Sequence, residues 1–178
     1  TPFQEDYYEF YPHMKTLGVC PLIAPYFRYK NLMVVSPFID DTSLTMLENN
    51  ADNRPILISR FEQLEKCNPN ILKTWDCYSW ASSIADEDDM DAECNISLHA
   101  KIYLMETRMH HLGSLSTDRK NWNYWYLGST NCTTAGMREN YEALLQLRSD
   151  NKSLSVNHTF NALFKSNLII KYDITSDE

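Results

Sequence analysis

His99 and Lys101 are separated by a single residue within residues 97–105, and their side-chain types suit chemistry on phosphate esters. Side chains alternate between the two faces of a β-strand, so this spacing places both residues on one face. The opposite face is then expected to be filled by apolar residues: Leu98, Ala100, Ile102 and Leu104. A histidine that acts as nucleophile or base beside a fixed positive charge is an arrangement that phosphoryl chemistry can use.

A second signal lies in the turn at residues 126–131, where Ser129 and Asn131 repeat the same two-residue spacing. Gly128 has no Cβ and permits a close approach of the backbone. A hydroxyl, an amide and backbone N–H groups in one turn form a cradle for phosphate, especially before a helix N-terminus. We therefore expect this turn, including Gly128 and Thr130, to bind substrate.

Glu142 is the third candidate, because it belongs to an otherwise apolar run at residues 141–147. A carboxylate in such a strand needs a partner. A histidine is a natural one, since the carboxylate would hold the imidazole in a single tautomer. An arginine is the alternative partner.

The elements that must position these residues alternate between strands and helices. Strands are expected at 32–38, 54–60, 97–105, 122–127, 141–147 and 168–174. Helices are expected after a cap at Asp40, Asp41 or Thr42, at 61–67 and at 153–165. Residues 1–30 are interpreted as helix and loop, and residues 70–94 give no clear pattern. The alternation predicts an α/β layered domain, although it does not reveal the strand order.

The 178 residues suit one domain spanning 1–178. We expect it to be cut from a longer protein with further domains, because it starts at Thr1 and no signal-peptide pattern follows. No apolar run approaches the length of about 18 residues that predicts a transmembrane helix, so no membrane association is expected.

The net charge of −8 counts against non-specific binding of nucleic acid by the whole surface. It leaves room for a local basic cleft, because part of the deficit lies in one acidic run at residues 86–93. The five cysteines are odd in number and include no CxxC pair, which argues against zinc and favours a reducing cytoplasm.

Together, the His-x-Lys at 99–101, the Gly-Ser-x-Asn at 128–131 and the Asn-x-Glu at 140–142 resemble the phospholipase D superfamily and its HKD motif. The run 128–142 is most similar to the nuclease branch, and the similarity covers roughly residues 30–175. The resemblance implies an α-β-α sandwich, in which helices flank both faces of a mixed central sheet.

Two features of this chain bear on what the resemblance implies. The family fold uses two motifs and this chain has one, so a homodimer is implied, with the site on its two-fold axis. In the family an aspartate usually follows the lysine with four residues between them, and Glu106 occupies that position here. That aspartate is mostly structural in the family, so the replacement leaves the expected fold intact.

The mechanism implied by the resemblance is a two-step displacement at phosphorus without metal or cofactor. His99 of one subunit forms a phosphohistidine, and the same residue of the other subunit acts as acid and then as base. Lys101 and Asn131 would stabilise the non-bridging oxygens, while Ser129 and Glu142 would orient the imidazole.

Further basic residues near the motifs are candidates for a DNA groove: Arg119, Lys120 and Arg138. The alternative is that they are solvated surface charges. Arg60, at the end of an expected strand, is a weaker candidate for facing the site.

The first functional hypothesis is a metal-independent DNA endonuclease, for example the catalytic domain of a cytoplasmic restriction or defence protein. The alternatives are hydrolysis or transfer of phospholipid head groups, and a non-catalytic dimerisation or DNA-binding module with the same fold.

Overall fold

A mixed β-sheet forms the centre of the computed structural model, which describes residues 8–12, 20–23, 28–81, 98–108 and 121–174. Its eight strands within these ranges are β1 (Tyr8–Pro12), β2 (Asn31–Val35), β3 (Ile56–Ser59), β4 (Asp76–Trp80), β5 (Ile102–Arg108), β6 (Asn121–Gly128), β7 (Ala143–Ser149) and β8 (Ile169–Lys171). Their spatial order is β1-β7-β6-β5-β2-β3-β4-β8.

The helices of the described ranges are α1 (Asp41–Glu48), α2 (Phe61–Leu64), α3 (Pro69–Leu72) and α4 (Val156–Lys165). Short 3₁₀ turns occupy Pro21–Ile23 and Lys152–Leu154, and a π-helical turn occupies Ala135–Glu139. Asp40 caps α1, because its side chain accepts a hydrogen bond from the N–H of Ser43. This confirms one of the three caps expected from the sequence.

The directions of the strands bring several strand ends to one edge of the sheet. Strands β2, β3 and β4 run parallel, whereas β5 is antiparallel to both β2 and β6, and β7 is antiparallel to β6. The ends of β2, β3 and β6 therefore lie beside the beginnings of β5 and β7. We call this edge the upper edge; it includes the register pairs Val35↔Ile102 and Ile102↔Leu127.

Both faces of the sheet are covered by helices. One face carries the larger apolar cluster, which includes Leu44 of α1, Leu64 of α2 and Leu72 of α3. The other face carries a smaller cluster centred on Val156 of α4, with Phe160 packed against it. The expected sandwich with helices on both faces of a mixed sheet is thus confirmed.

Two elements differ from the sequence interpretation. Residues 8–12 form β1, paired with β7, where helix and loop were expected. Residues 76–80 form β4 although residues 70–94 gave no clear pattern, and the fully buried Trp75 immediately precedes that strand. The acidic run at 86–93 lies outside the described residues. No helix within the described ranges is long and apolar enough to cross a membrane.

Glu106 has a structural position on β5. Its Oε2 accepts a 2.6 Å hydrogen bond from Nδ2 of Asn31 on β2, and its Oε1 accepts a 2.7 Å bond from the N–H of Val156. A carboxylate at the first turn of a helix is favourable, because the helix dipole is positive there. The acid that replaces the expected aspartate therefore ties β2 and α4 to the central strand β5.

Candidate active site

His99 and Lys101 lie immediately before β5, at the upper edge. The strand starts at Ile102, so the expectation that these residues belong to it was wrong by a few positions. Leu98 is buried in the smaller apolar cluster, whereas His99 is exposed. Ala100, expected to fill the buried face, is exposed. The Nζ of Lys101 donates a 3.0 Å hydrogen bond to the carbonyl of His99.

The two sequence signals meet where β5 begins and β6 ends. The N–H of Gly128 points to the carbonyl of Lys101 at an N···O distance of 3.4 Å. Adjacent strands are separated by about 4.8 Å, so this contact brings the backbone of the Gly-Ser-x-Asn turn beside that of the His-x-Lys segment. The sequence alone did not specify this contact between Lys101 and Gly128.

Ser129 is held against the start of β7 by an exchange of two hydrogen bonds with Ala143. The N–H of Ser129 donates to the carbonyl of Ala143 (3.1 Å), and Oγ accepts from its N–H (3.0 Å). Gly128 makes this possible: a Cβ there would collide with the carbonyl oxygen of Ala143 and lie 2.9 Å from its carbonyl carbon. The close backbone approach predicted for Gly128 is confirmed.

Cys132, the neighbour of Asn131, is bound to the loop that follows β2. The N–H of Cys132 donates to Oγ of Ser36 (2.9 Å), and the carbonyl of Cys132 accepts from the N–H of Asp40 (3.0 Å). Asn131 is half-buried, and its Oδ1 is buried without a hydrogen-bond partner among the described residues. Leaving a buried acceptor without a donor costs free energy of folding.

The carboxylate of Asp40 bonds to two parts of the chain, the start of α1 and the turn after Asn131. It accepts from the N–H of Ser43 through Oδ1 (2.7 Å) and from the N–H of Thr134 through Oδ2 (2.6 Å). Burial alone would raise the pKa of Asp40, but these hydrogen bonds from Thr134 and Ser43 outweigh it and lower the pKa below its ordinary value. Asp40 thus remains ionised and anchors the turn after Asn131.

Thr130 does not fit the role expected for it. Its side chain is fully buried, and its carbonyl accepts a 3.0 Å hydrogen bond from the hydroxyl of Tyr103. Burial, and less strongly nearby groups such as Cys132 and Glu142, raise the pKa of Tyr103 well above its ordinary value. Tyr103 therefore stays a donor, and Thr130 lies in the core, away from ligands in solution, in contrast to the predicted substrate contact.

Glu142 lies one residue before β7 and not within it, which corrects the sequence interpretation. Its side chain is half-buried, and Oε1 accepts a 3.3 Å hydrogen bond from Nδ2 of Asn140. Because Ala143 pairs with Ser129, Glu142 stands beside the turn at the upper edge. Its predicted support of His99 stays a prediction.

The basic candidates have different outcomes. Arg119 and Lys120 lie outside the described residues. Arg138 is exposed on the π-helical turn, and its Nη2 lies 3.1 Å from Sδ of Met46 on α1. That contact directs the guanidinium toward α1, and its predicted place in a DNA groove stays a prediction.

Arg60, the weaker candidate from the sequence, lies beside the segment that carries His99. It follows β3 directly, and its Nε and Nη2 both donate to the carbonyl of Leu98, at 3.2 and 2.9 Å. The sequence signal was only its position at a strand end. No group of three or more His, Cys, Asp or Glu side chains that could hold a metal ion occurs in the described parts of the chain.

Comparison with known proteins gives a single kind of match. No family model and no curated protein sequence matches the chain. Among solved structures, the chain is similar to Nuc, a phospholipase D family member from Salmonella typhimurium, with a TM-score of 0.54 and 9% sequence identity. The match covers 94% of this chain and 98% of Nuc. The chain therefore has the fold of the phospholipase D family.

Proposed function

We propose that this chain is a metal-independent phosphodiesterase that cleaves DNA through a covalent phosphohistidine. The observation that carries the proposal is the contact between the N–H of Gly128 and the carbonyl of Lys101. It joins the His-x-Lys segment to the Gly-Ser-x-Asn turn at the upper edge. These are the residue types that the phospholipase D motif combines, and they occur here on that fold.

The first step forms one bond and breaks another at phosphorus. An imidazole nitrogen of His99 attacks the phosphodiester, and the bond from phosphorus to the leaving oxygen breaks. The partner's His99 gives its proton to that oxygen. In this proposal Lys101 and Asn131 stabilise the charge on the non-bridging oxygens, as a cation and an amide donor can.

The second step returns the enzyme to its starting state. The partner's His99, now without its proton, removes a proton from water, and the resulting hydroxide attacks the phosphohistidine. The P–N bond breaks and releases a phosphomonoester. The two His99 side chains therefore start the reaction in different protonation states, one neutral and one protonated.

A homodimer is part of the proposal, because each chain carries one His-x-Lys. His99 is exposed at the upper edge, which leaves it accessible to a second copy. An isologous interface around this edge would bring two copies of the same residues together on a two-fold axis.

The decisive experiment is cleavage of plasmid DNA and of a labelled single-stranded oligonucleotide in EDTA. We compare the wild type with His99→Ala and with His158→Ala, which removes an exposed histidine of α4 and serves as the matched control. Cleavage by the wild type and by His158→Ala, lost in His99→Ala, supports the proposal. The absence of DNA cleavage by the wild type contradicts it, and vesicles of phosphatidylcholine then test a phospholipid substrate.

Subunit mixing tests the shared site. If each site needs two His99 residues, exchange with an equal amount of His99→Ala leaves only about one quarter of the dimers fully wild type. Activity per wild-type protomer should then fall by about half. Unchanged activity per wild-type protomer after exchange contradicts a site shared by two subunits.

A further inference from the structure

The segment that carries His99 lies just outside the register pairs of the sheet, although the N–H of Gly128 on β6 reaches the carbonyl of Lys101. Pairing of β5 with both of its neighbours starts at Ile102, and residues 98–101 belong to no strand. Two cations also bind backbone carbonyls of this segment. Arg60 donates twice to the carbonyl of Leu98, and Lys101 donates to the carbonyl of His99.

Arg60 also contacts the loop after β2. Its Cζ lies 4.9 Å from the ring centroid of Phe38, within the range of a cation–π interaction. Phe38 is 43% exposed, so packing in the core alone does not fix the position of its ring. Its carbonyl accepts a 2.7 Å hydrogen bond from Oγ of Ser36.

Ser36 extends this connection to the other half of the site. The same Oγ that donates to Phe38 accepts from the N–H of Cys132, the neighbour of Asn131. A continuous set of contacts thus runs from the backbone beside His99, through Arg60 and the loop after β2, to the backbone beside Asn131. Arg60 is the only charged side chain among these links.

We infer that Arg60 is a positioning residue, which sets the placement of His99 relative to Asn131. The inference rests on the proposed function for its catalytic consequence, although the placement itself is a separate property. A guanidinium is suited to this task, because its planar fork can donate two hydrogen bonds while its face lies on an aromatic ring. A lysine has the charge and a donor but not the fork or the flat face.

The test compares Arg60→Gln, Arg60→Lys and Phe38→Leu with the wild type. The matched control is Arg54→Gln. Arg54 precedes the same strand at its other end, where it donates to the carbonyl of Trp75 (2.7 Å) and forms a 3.1 Å ion pair with Asp76. It therefore makes comparable structural contacts far from the upper edge.

Kinetics on bis(p-nitrophenyl) phosphate in EDTA give the first measurement. Misplacing a reacting group by about 1 Å can lower a rate by about 100-fold. We expect Arg60→Gln to lower kcat by about 10- to 100-fold with KM within about twofold of the wild type. Arg60→Lys should lose less of the wild-type kcat than Arg60→Gln does. The kcat of Phe38→Leu should lie between those of Arg60→Lys and the wild type. Arg54→Gln should keep the wild-type kcat.

The second measurement does not need activity. The imidazole Cε1–H signal of His99 in the proton NMR spectrum, assigned by its loss in His99→Ala, should shift in Arg60→Gln and not in Arg54→Gln. Equal thermal unfolding of the two glutamine variants, with only Arg60→Gln changing the signal, supports positioning.

An unchanged His99 signal in folded Arg60→Gln overturns the inference, and so does an equal change in Arg54→Gln. If Arg60→Gln fails to fold, Phe38→Leu and Arg60→Lys carry the same comparison. If the wild type cleaves no phosphodiester, the proposed function fails, and the NMR comparison still decides whether Arg60 places His99.

Discussion

The carboxylate of Glu106 accepts a 2.7 Å hydrogen bond from the backbone N–H of Val156, the first residue of α4. Its other oxygen accepts from Asn31 on the neighbouring strand. The longer acid at this position therefore spans from β5 to a helix and to a second strand. This explains how a glutamate fills a position where the related motif has an aspartate: the group holds the fold together.

Shortening this side chain should destabilise the protein. Glu106→Asp removes one methylene and cannot reach both donors, so one buried partner is left unsatisfied. We expect the free energy of unfolding to fall by about 1–3 kcal/mol. Urea denaturation measures this loss, and hydrogen exchange should show faster exchange at the N–H of Val156. Glu62→Asp, on the exposed side of α2, is the control and should change stability little. A destabilisation equal to that of the control contradicts the structural role.

Gly128→Ala should disrupt the turn of the candidate site. The new Cβ collides with the carbonyl oxygen of Ala143, so β6 and β7 must separate where Ser129 binds. Overpacking that forces the backbone to shift typically costs about 1–3 kcal/mol, and we expect the upper end of this range because the new Cβ would meet a backbone atom. Thermal unfolding measures the loss. Ser129→Ala, which removes one acceptor and adds no atoms, should cost only about 1 kcal/mol. A Gly128→Ala protein as stable as Ser129→Ala contradicts the close approach.

Asp40 should make stability depend on pH in the acid range. Its pKa is lowered in the folded protein, so its contribution is present above the unfolded pKa of about 3.9 and is lost as the pH falls through the folded value. Asp40→Asn keeps one acceptor for the N–H of Ser43 but presents an NH₂ group to Thr134. We expect a loss of about 0.5–2 kcal/mol at pH 6.

The loss caused by Asp40→Asn should shrink as the pH is lowered below about 4. Urea unfolding at several pH values measures this change. Asp52→Asn is the control, because Asp52 pairs with Arg28 at an exposed position and such pairs contribute little. A difference between Asp40→Asn and the wild type that is constant with pH contradicts the assigned hydrogen bonds.

Four cysteines should be unreactive in the folded protein. Burial raises the pKa of Cys20 to about 11 and the pKa of both Cys67 and Cys77 to about 12, and it raises that of Cys132 well above its ordinary value. Because the thiolate is the reactive form, little reaction is expected at pH 8.

The measurement is a thiol count with Ellman's reagent in a Cys94→Ser protein, since Cys94 lies outside the described residues. We expect almost no reaction in the native protein and full reaction in guanidinium chloride. Rapid native reaction contradicts the burial of these side chains. The proposed phosphodiesterase activity should survive the reagent, because no step of the proposed mechanism uses a thiol.

The candidate residues could be found in the sequence because the proposed chemistry depends on residue type and short spacing. The two-residue separation of His99 and Lys101, and of Ser129 and Asn131, can be seen without knowing the fold. Local physics also predicted a cap at Asp40, Asp41 or Thr42, of which the structure shows Asp40, and the close approach at Gly128. Periodicity located most strands and helices, although their ends moved by a few residues.

The tertiary structure decided every relationship between distant segments. Strand β4 carries a mixture of polar and aromatic residues, so periodicity did not find it; it is a strand because β3 and β8 pair with it. The start of β5 at Ile102 is set by where its two neighbours pair. Thr130 was expected in the site because of its neighbours in sequence, and the hydroxyl of Tyr103 holds its backbone in the core.

Arg60 and Leu98 are 38 residues apart, and Glu106 and Val156 are 50 residues apart. A side chain that finds its partner over such a distance leaves no periodic or local trace, because the partner is chosen by strand order and helix placement. The residue types that suit phosphoryl chemistry were therefore determined by the sequence itself. Their convergence at the upper edge, and the contacts that hold the backbone of His99 there, were decided only when the sheet assembled.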